Sequence, residues 1–207
     1  MIEALGAGIL FGLSAGLAPG PLFALVIAQT LRFGAGQGVR VALAPLLTDA
    51  PIIVASVLLV GLAGVLGWLP GLISLAGAVF VASLALDTWR AEPGTAAADA
   101  GAPRSWTRGV AVNLLSPHPY LFWLLVGAPT LVAAAASDGL VGGGGFLVGF
   151  YVCLVGSKVA LALLTARAGE RMTGRGWRLV MRTLALLLAV FAASLLREAF
   201  LALLGAA

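Results

Sequence analysis

The stretch from Ser14 to Pro51, SAGLAPGPLFALVIAQTLRFGAGQGVRVALAPLLTDAP, decides the fold of this chain. It is mostly apolar, and its main interruptions are Pro19-Gly20-Pro21, the turn RFGAGQGVR and Asp49. A Pro-Gly-Pro triplet cannot lie in an uninterrupted helix, because proline has no N–H to bond four residues back and its ring crowds the preceding turn. Asp49 is a carboxylate between apolar neighbours. In a membrane protein, a broken helix and a buried acid in consecutive spans are typical of a transport site.

The composition is that of a polytopic membrane protein. The 207 residues are 61% hydrophobic and 10% charged, with a mean hydropathy of +1.11, whereas soluble domains carry about 25% charged residues. We therefore expect one membrane domain, 1–207, without soluble blocks. The formal net charge of +4 does not indicate a nucleic-acid partner, because the position of the charges matters more than their sum. Cys153 is the only cysteine, so we expect no disulfide, no metal site and no cofactor.

Six apolar stretches are long enough to cross the membrane at roughly 20 residues per crossing. They are predicted at Leu5–Leu31, at Val41 to about Leu66, from after Pro70-Gly71 to Leu86, at Val110 to about Ala136, from a loose start at Gly142 to Gly145 to near Ala166, and at Leu179–Leu196. A turn at Ser137-Asp138-Gly139 precedes the fifth. The sixth contains Arg182, whose aliphatic stem can carry its charge to the interface, and Arg197-Glu198 follow it. A five-span alternative without this helix stays open.

A polar linker, residues 91–107, separates two halves, 1–90 and 108–207, each with three predicted spans. The first span of each half breaks at a Pro-x-Pro, Pro19-Gly20-Pro21 and Pro117-His118-Pro119. Because each half has an odd number of spans, the second half enters the membrane from the opposite side. We therefore predict an all-α polytopic membrane protein with six transmembrane helices, arranged as two inverted three-helix repeats with proline-broken first and fourth helices. Two ordinary proline kinks are the alternative.

Arginines in the short connections set the predicted orientation. They fall after spans one, three and five, at Arg32, Arg40, Arg90, Arg104, Arg108, Arg167, Arg171, Arg175, Arg178 and Arg182. These connections are therefore predicted to be cytoplasmic, which puts both termini outside. Arg197 opposes this arrangement, although Glu198 beside it can neutralise its charge.

Two charged residues lie inside predicted spans. Asp49 is nine residues beyond Arg40 and Lys158, the only lysine, nine before Arg167, so at 1.5 Å per residue both lie about 13 Å from a cytoplasmic charge. That depth is close to the middle of a hydrocarbon layer about 30 Å thick. An isolated charge there costs about 2.5 to 3.5 kcal/mol on insertion scales, so we expect each to face the other or a wet cavity. A structural ion pair that locks spans two and five is the alternative.

Neutral polar residues near the breaks complete the candidate substrate or proton site. His118, the only histidine, lies between two prolines, and an imidazole can carry a proton near neutral pH. The alternative is a neutral ring that bonds the broken backbone. Thr48, Asn113 and Ser116 can hydrogen-bond either a substrate or loose carbonyls. The helix-break residues are Pro19, Gly20, Pro21, Pro117 and Pro119, and no catalytic residue is expected.

Glycines recur every four residues in the first span, at Gly8, Gly12, Gly16 and Gly20. This spacing gives the helix a flat face for close contact with another helix. We expect that contact inside the monomer, with a subunit interface as the alternative.

Three sets of residues extend over most of the chain: Pro19-Gly20-Pro21, then Gly34 and Gly38 leading to Asp49, then Asn113-Leu-Leu-Ser-Pro117 followed by Phe122-Trp123 and Pro129. Together they resemble the LysE/RhtB superfamily of bacterial amino-acid exporters. The family usually has glycines where this chain has Ala44 and Thr48, an asparagine at Ser116 and a lysine at His118. The resemblance implies a multi-pass exporter of the bacterial inner membrane and a homodimer.

Efflux of an amino acid or related small metabolite, driven by the proton gradient, is the predicted function. One acid and one base suit a zwitterion: Asp49 receives the ammonium group, and Lys158 with the exposed helix ends receives the carboxylate. The predicted partners are thus a small-molecule substrate, protons and membrane lipid. A divalent-metal or other small-solute exporter is the alternative, although hard cations favour several carboxylates. An intramembrane enzyme is a remote alternative, because Ser116 and His118 are too close in sequence to form a proteolytic pair.

Overall fold

The computed structural model describes residues 2–59, 69–91, 104–170 and 174–204, and within these ranges the backbone is helical apart from short turns. The helices are α1 (Ile2–Leu17), α2 (Pro21–Phe33), α3 (Ala35–Ala42), α4 (Ala44–Leu59), α5 (Leu69–Trp89), α6 (Ser105–Leu114), α7 (Pro117–Phe122), α8 (Ala128–Glu170) and α9 (Gly174–Leu204). A π-helical turn, Trp123–Gly127, joins α7 to α8. The prediction of an all-α protein is confirmed for these residues.

Both helix breaks lie at the predicted prolines. The first separates α1 from α2, whose axes are bent by 62°. Gly20 is extended there, with φ −166°, and Pro21 takes the first helical position, where its missing N–H costs no hydrogen bond. The second separates α6 from α7, which begins at Pro117 after an extended Ser116. Local proline chemistry therefore determines where both helices end.

The connection between α2 and α3 is shorter than the predicted turn RFGAGQGVR. Only Gly34 leaves the helical conformation, with φ +88°, a left-handed value that favours glycine. The second predicted span therefore begins in helix at Ala35 rather than at Val41, with a short interruption at Leu43. Its predicted end near Leu66 lies outside the described residues. Gly38 keeps α3 close to its neighbours, because a Cβ there would meet Thr30 and Ala162.

Helix α8 is a hairpin of two helices. Asp138 and Gly139 leave the helical conformation, Gly139 with φ +62°, at the predicted turn. A Cβ on Gly142 would meet the Ala134 carbonyl, which shows that the chain runs back along itself. The predicted loose start at Gly142 to Gly145 is wrong, since these residues are helical. Their small size lets the two arms pack closely.

Helix α9 is longer than the sixth predicted span, and its residues Gly174–Leu201 are long and apolar enough to cross a membrane. It runs through Arg197 and Glu198 without interruption, because charged residues on an exposed face do not end a helix. Near its start, the Arg182 guanidinium lies 5.4 Å from the centre of the Trp89 ring. Helix α6 begins at Ser105, inside the predicted linker 91–107, most of which lies outside the described residues.

The helices pair across the two halves of the chain: α1 packs on the second arm of α8, α6 on α3 and α4, and α5 on α9. Three of the regularly spaced glycines make the first contact close. A Cβ at Gly8 would meet the Phe146 backbone, one at Gly12 the Phe150 backbone, and one at Gly16 the Ser157 side chain. Their predicted role in packing inside the monomer is confirmed.

Among the described helices, three stretches are long and apolar enough to cross a membrane, Ala35–Leu58, Pro117–Gly169 and Gly174–Leu201, and the bent pair α1 and α2 gives up to four. The 53-residue stretch would be about 80 Å long as one straight helix, and the turn at Gly139 divides it. Ser74–Trp89 is a shorter apolar helix. The apolar helices fit a multi-pass membrane protein, and the count of six spans stays a prediction.

Candidate functional site

The two helix breaks meet at one cavity of about 290 Å³. Most of the predicted site residues line it: Asp49, Lys158, Asn113, Ser116, His118, Pro19, Gly20, Pro21 and Pro119. Thr48 and Pro117 lie outside its lining. The remaining walls are mostly apolar, from Ala15, Ala18, Leu22, Phe23, Pro45, Val112, Phe122, Trp123, Phe150, Leu154 and Phe191.

Asp49 is held by four neutral side chains, Asn113, Trp123, Tyr151 and Thr48. Its Oδ1 accepts a hydrogen bond from Asn113 Nδ2 at 2.7 Å, and its Oδ2 accepts one from the Tyr151 hydroxyl at 3.3 Å. Thr48 and Asp49 are both buried, with exposed fractions of 2% and 4%. A carboxylate offers about four acceptor positions, so an ammonium group that binds Oδ2 shares that oxygen with the long contact from Tyr151 or replaces it.

Asn113 connects the second break to span two. Its Nδ2 also donates to Thr48 Oγ1 at 2.6 Å, so both amide hydrogens are used. The Thr48 hydroxyl donates to the Ala44 carbonyl at 3.0 Å, which leaves its oxygen to accept. Because a carboxylate and this hydroxyl oxygen both need donors, the nitrogen of Asn113 must face them, and its Oδ1 faces away. Thr48 therefore positions Asn113 rather than lining the cavity.

Lys158 closes the end of the broken first helix. Its Nζ donates to the carbonyl oxygens of Gly16 at 2.9 Å and of Ala15 at 3.4 Å. The last carbonyls of a helix lack partners within it and carry partial negative charge, so a cation is favoured at that end. Lys158 is 4% exposed, and an ammonium group has three donors, so one N–H remains for another acceptor.

Asp49 and Lys158 line the same cavity but do not pair. No salt bridge within 4.0 Å joins these two described residues. The alternative of a structural ion pair between spans two and five is therefore wrong for this structure. The physical reason is that each charge already has partners, Asn113 and Tyr151 for the acid and the α1 carbonyls for the base.

Ser116 and His118 engage each other at the second break. Ser116 Oγ lies 3.2 Å from His118 Nδ1, with the proton on either atom according to the tautomer. Ser116 is buried whereas His118 is exposed. The interpretation of His118 as a ring bonded to the broken backbone does not hold, because its partner is a side chain.

Sequence reasoning missed Tyr120, Tyr151 and Trp123. The Tyr120 hydroxyl donates to the Leu114 carbonyl at 2.9 Å, which satisfies the end of α6, and Tyr151 holds Asp49. Trp123 is fully buried, lines the cavity and donates its indole N–H to Asp49. A tyrosine in an apolar run is a usable signal, since a buried tyrosine hydroxyl finds a hydrogen-bond partner.

Comparisons with known proteins give one match. The family model described as LysE type translocator matches residues 13–199, which is most of the chain and includes every residue named in this site. Comparisons with curated proteins and with solved structures found no match.

Proposed function

This chain belongs to the LysE type translocator family, and from that premise we propose that it exports an amino acid or related small metabolite across the bacterial inner membrane in exchange for protons. Members of the family are transporters rather than enzymes, so the chain is a multi-pass membrane exporter of small solutes. The observation that carries the finer proposal is the cavity between the two breaks, which contains one acid and one base that are not paired to each other.

The acidic side of the cavity suits an ammonium group. Asp49 Oδ2 has a weak partner in Tyr151 at 3.3 Å, and Asn113 lines the cavity with its Nδ2 committed to Asp49 and Thr48. The free Oδ1 of Asn113 and Asp49 Oδ2 are both acceptors. A substrate ammonium group can therefore donate to both.

The basic part of the cavity suits a carboxylate. Lys158 keeps one N–H beyond its two bonds to α1. Helix α2 begins at Pro21 without a side-chain cap, and Leu22 and Phe23 of its first turn line the cavity. The unpaired N–H groups of a helix N-terminus favour an anion. A discontinuous helix that presents such an end to an anionic substrate group is a known transporter design.

Proton coupling follows from competition at Asp49. The ionised carboxylate attracts the substrate ammonium, and a proton that arrives from outside neutralises it and removes that attraction. Release of the substrate outside and of the proton inside would then return the site to its starting charge. The cavity thus holds either a substrate or a proton at one time, which is the requirement for exchange.

The helix pairings support two inverted repeats of three spans. If the halves are 1–90 and 108–207, α1 packs on the second span of the other half, α6 packs on the second span of the first half, and the third spans α5 and α9 pack together. A two-fold relation between the halves produces this reciprocal pattern. We propose six spans on that basis, with the first and fourth broken.

Contacts between the predicted cytoplasmic ends support the orientation. Arg108 and Asp87 form an ion pair at 3.0 Å between α6 and α5, and Arg182 lies over Trp89. A Cβ on Gly169 would come 3.0 Å from Leu31, so the ends of spans one and five also meet. On this basis we propose that the arginine-rich ends lie on the cytoplasmic side, in accord with the positive-inside rule, with both termini outside. A homodimer remains a prediction from the resemblance.

Asp49→Asn tests the proposal in liposomes with an imposed pH gradient and a panel of labelled amino acids. The amide keeps the shape but cannot exchange a proton, so we expect gradient-driven export to fall at least tenfold. Asp87→Asn is the matched control, because Asp87 is an exposed acid, and it should retain export. Undiminished proton-coupled export by Asp49→Asn would overturn the role of Asp49.

A divalent-metal exporter is the alternative that the same experiment addresses. Hard cations prefer several oxygen ligands, and Asp49 is the one acid among the described residues that line the cavity. Divalent metals in the panel should not move. Metal flux without amino-acid flux would replace the proposed function.

A further inference from the structure

The cavity has few polar lining groups and much apolar surface. Its charged lining residues are Asp49 and Lys158. The apolar lining includes three rings and two aliphatic residues of four different helical segments, Phe122, Phe150, Phe191, Val112 and Leu154. A zwitterion whose charged groups bind Asp49 and Lys158 must therefore place its side chain largely against apolar surface.

Stacking among the aromatic residues fixes the apolar wall in shape. Phe122 and Phe150 are stacked with ring centres 5.1 Å apart and planes 13° from parallel. Trp123 meets both edge-on, at 5.4 Å from Phe122 and 5.2 Å from Phe150. Such offset or edge-to-face pairs are favourable arrangements, and Trp123 and Phe150 are 0% and 2% exposed. These contacts hold the three rings in one packed cluster.

Few polar groups remain outside the zwitterion positions. Ser116 engages Nδ1 of His118, which leaves the Nε2 of that ring, and Thr48 bonds Ala44 and Asn113. A lysine or arginine substrate would need a second carboxylate, and Asp49 is the one acid among the described lining residues. An unpaired cation on an apolar wall is strongly disfavoured. A hydroxyl side chain there would also lack a partner.

The cavity, with a volume of about 290 Å³, has room for a large side chain. Glycine or alanine would leave the aromatic wall uncovered, whereas leucine or phenylalanine would cover it. Burying a side chain of that size is worth about 1.5 to 3 kcal/mol relative to leaving it exposed.

We propose that the exported substrate is a neutral amino acid with a bulky apolar side chain, aliphatic or aromatic, which packs against Phe122, Phe150 and Phe191. This inference rests on the proposed function, because it assumes that an amino acid occupies the cavity. Leucine and phenylalanine represent the class.

Purified protein in liposomes under an imposed pH gradient tests the substrate class with phenylalanine, leucine, alanine, threonine and lysine. We expect phenylalanine and leucine to be exported about 10- to 100-fold more efficiently than the other three. Preference for lysine or threonine would overturn the substrate class and leave amino-acid export intact. Failure of every amino acid to move would overturn both. Phenethylamine, which lacks the carboxylate, should not move; its transport without that of phenylalanine would also overturn both.

Phe191→Ala gives a second readout of the same wall. Phe191 is half-buried and lines the cavity, so its loss should lower the ratio of phenylalanine to alanine export about tenfold. Phe200→Ala is the matched control, because Phe200 lies on the same helix and is 59% exposed. An unchanged ratio in folded Phe191→Ala would contradict the assigned wall. If that variant fails to insert, the substrate panel on the unmodified protein still decides.

Discussion

The two helix breaks line one cavity, but they differ in what satisfies the backbone that each exposes. At the first, the carbonyls of Ala15 and Gly16 accept from Lys158, which is 142 residues beyond Gly16. At the second, the carbonyl of Leu114 accepts from Tyr120, six residues on. The first break is thus closed by a charge from a distant helix, and the second by a neutral group of its own segment.

Because of this difference, binding in the cavity can affect the hydrogen bonds of the first break but not those of the second. Lys158 also faces the cavity, so an anion that binds there competes with the α1 carbonyls for its hydrogens. Occupancy of the cavity then changes how firmly α1 is held on α8. Tyr120 does not line the cavity, so a substrate bound there does not compete for its bond to Leu114. We expect the first break to move during transport and the second to keep its geometry.

Lys158→Met gives the largest expected effect. It removes the cation at the end of α1 and the proposed partner of the substrate carboxylate. Leaving buried carbonyls unpaired costs about 1 to 3 kcal/mol, so the thermal midpoint in detergent should fall. Losing a hydrogen bond to a charged group lowers export by about 10- to 100-fold, as measured in liposomes at equal incorporation.

Ser157→Ala is the matched control for Lys158→Met. Ser157 precedes Lys158 on the same helix, and its hydroxyl donates to the Leu154 carbonyl of that helix at 3.0 Å. Its loss should leave both export and the midpoint almost unchanged. If Lys158→Met retained full export and its midpoint, the first break would not depend on this residue, and the distinction between the two breaks would fail.

The breaks themselves could be predicted from the sequence. Pro19, Pro21 and Pro117 act through their own missing N–H and ring, so no knowledge of the surrounding fold is needed. The shared cavity of Asp49 and Lys158 was also within reach, because charges inside apolar spans avoid lipid and face cavities or partners. The role of these residues in transport is still a proposal.

The partners of those charges could not be predicted. Lys158 meets the carbonyls of α1 only because Gly8 and Gly12 bring α1 against the α8 backbone in one register, and sequence spacing does not fix the register between distant helices. Tyr120 and Tyr151 stand in apolar runs, where their hydroxyls give no clue to a partner. The residue types in a sequence do not show which backbone carbonyls a helix break leaves without partners.

Gly12→Ala is expected to have an intermediate effect, by disturbing the contact that holds the first break. A Cβ at Gly12 would overlap the backbone of Phe150, which cannot rotate away as a side chain can. Overpacking of this kind costs about 1 to 3 kcal/mol, seen as a lower midpoint and a few-fold loss of export. Gly6→Ala is the control on the same helix, since a Cβ there meets nothing within 4 Å. Equal midpoints for the two variants would show that the glycine face does not hold α1.

Tyr120→Phe is expected to have the smallest effect, because it alters the second break, whose carbonyl bonds a residue of the same segment. The ring stays and the hydroxyl is lost, so the Leu114 carbonyl loses one neutral hydrogen bond, worth about 1 kcal/mol. Export should change less than twofold. Tyr151→Phe is the same substitution at the hydroxyl that holds Asp49, and it should lower export more than it lowers the midpoint. If Tyr120→Phe lost export to the same extent as Lys158→Met, both breaks would move during transport. A second break that keeps its geometry should tolerate the loss of a hydrogen bond that the substrate does not contact.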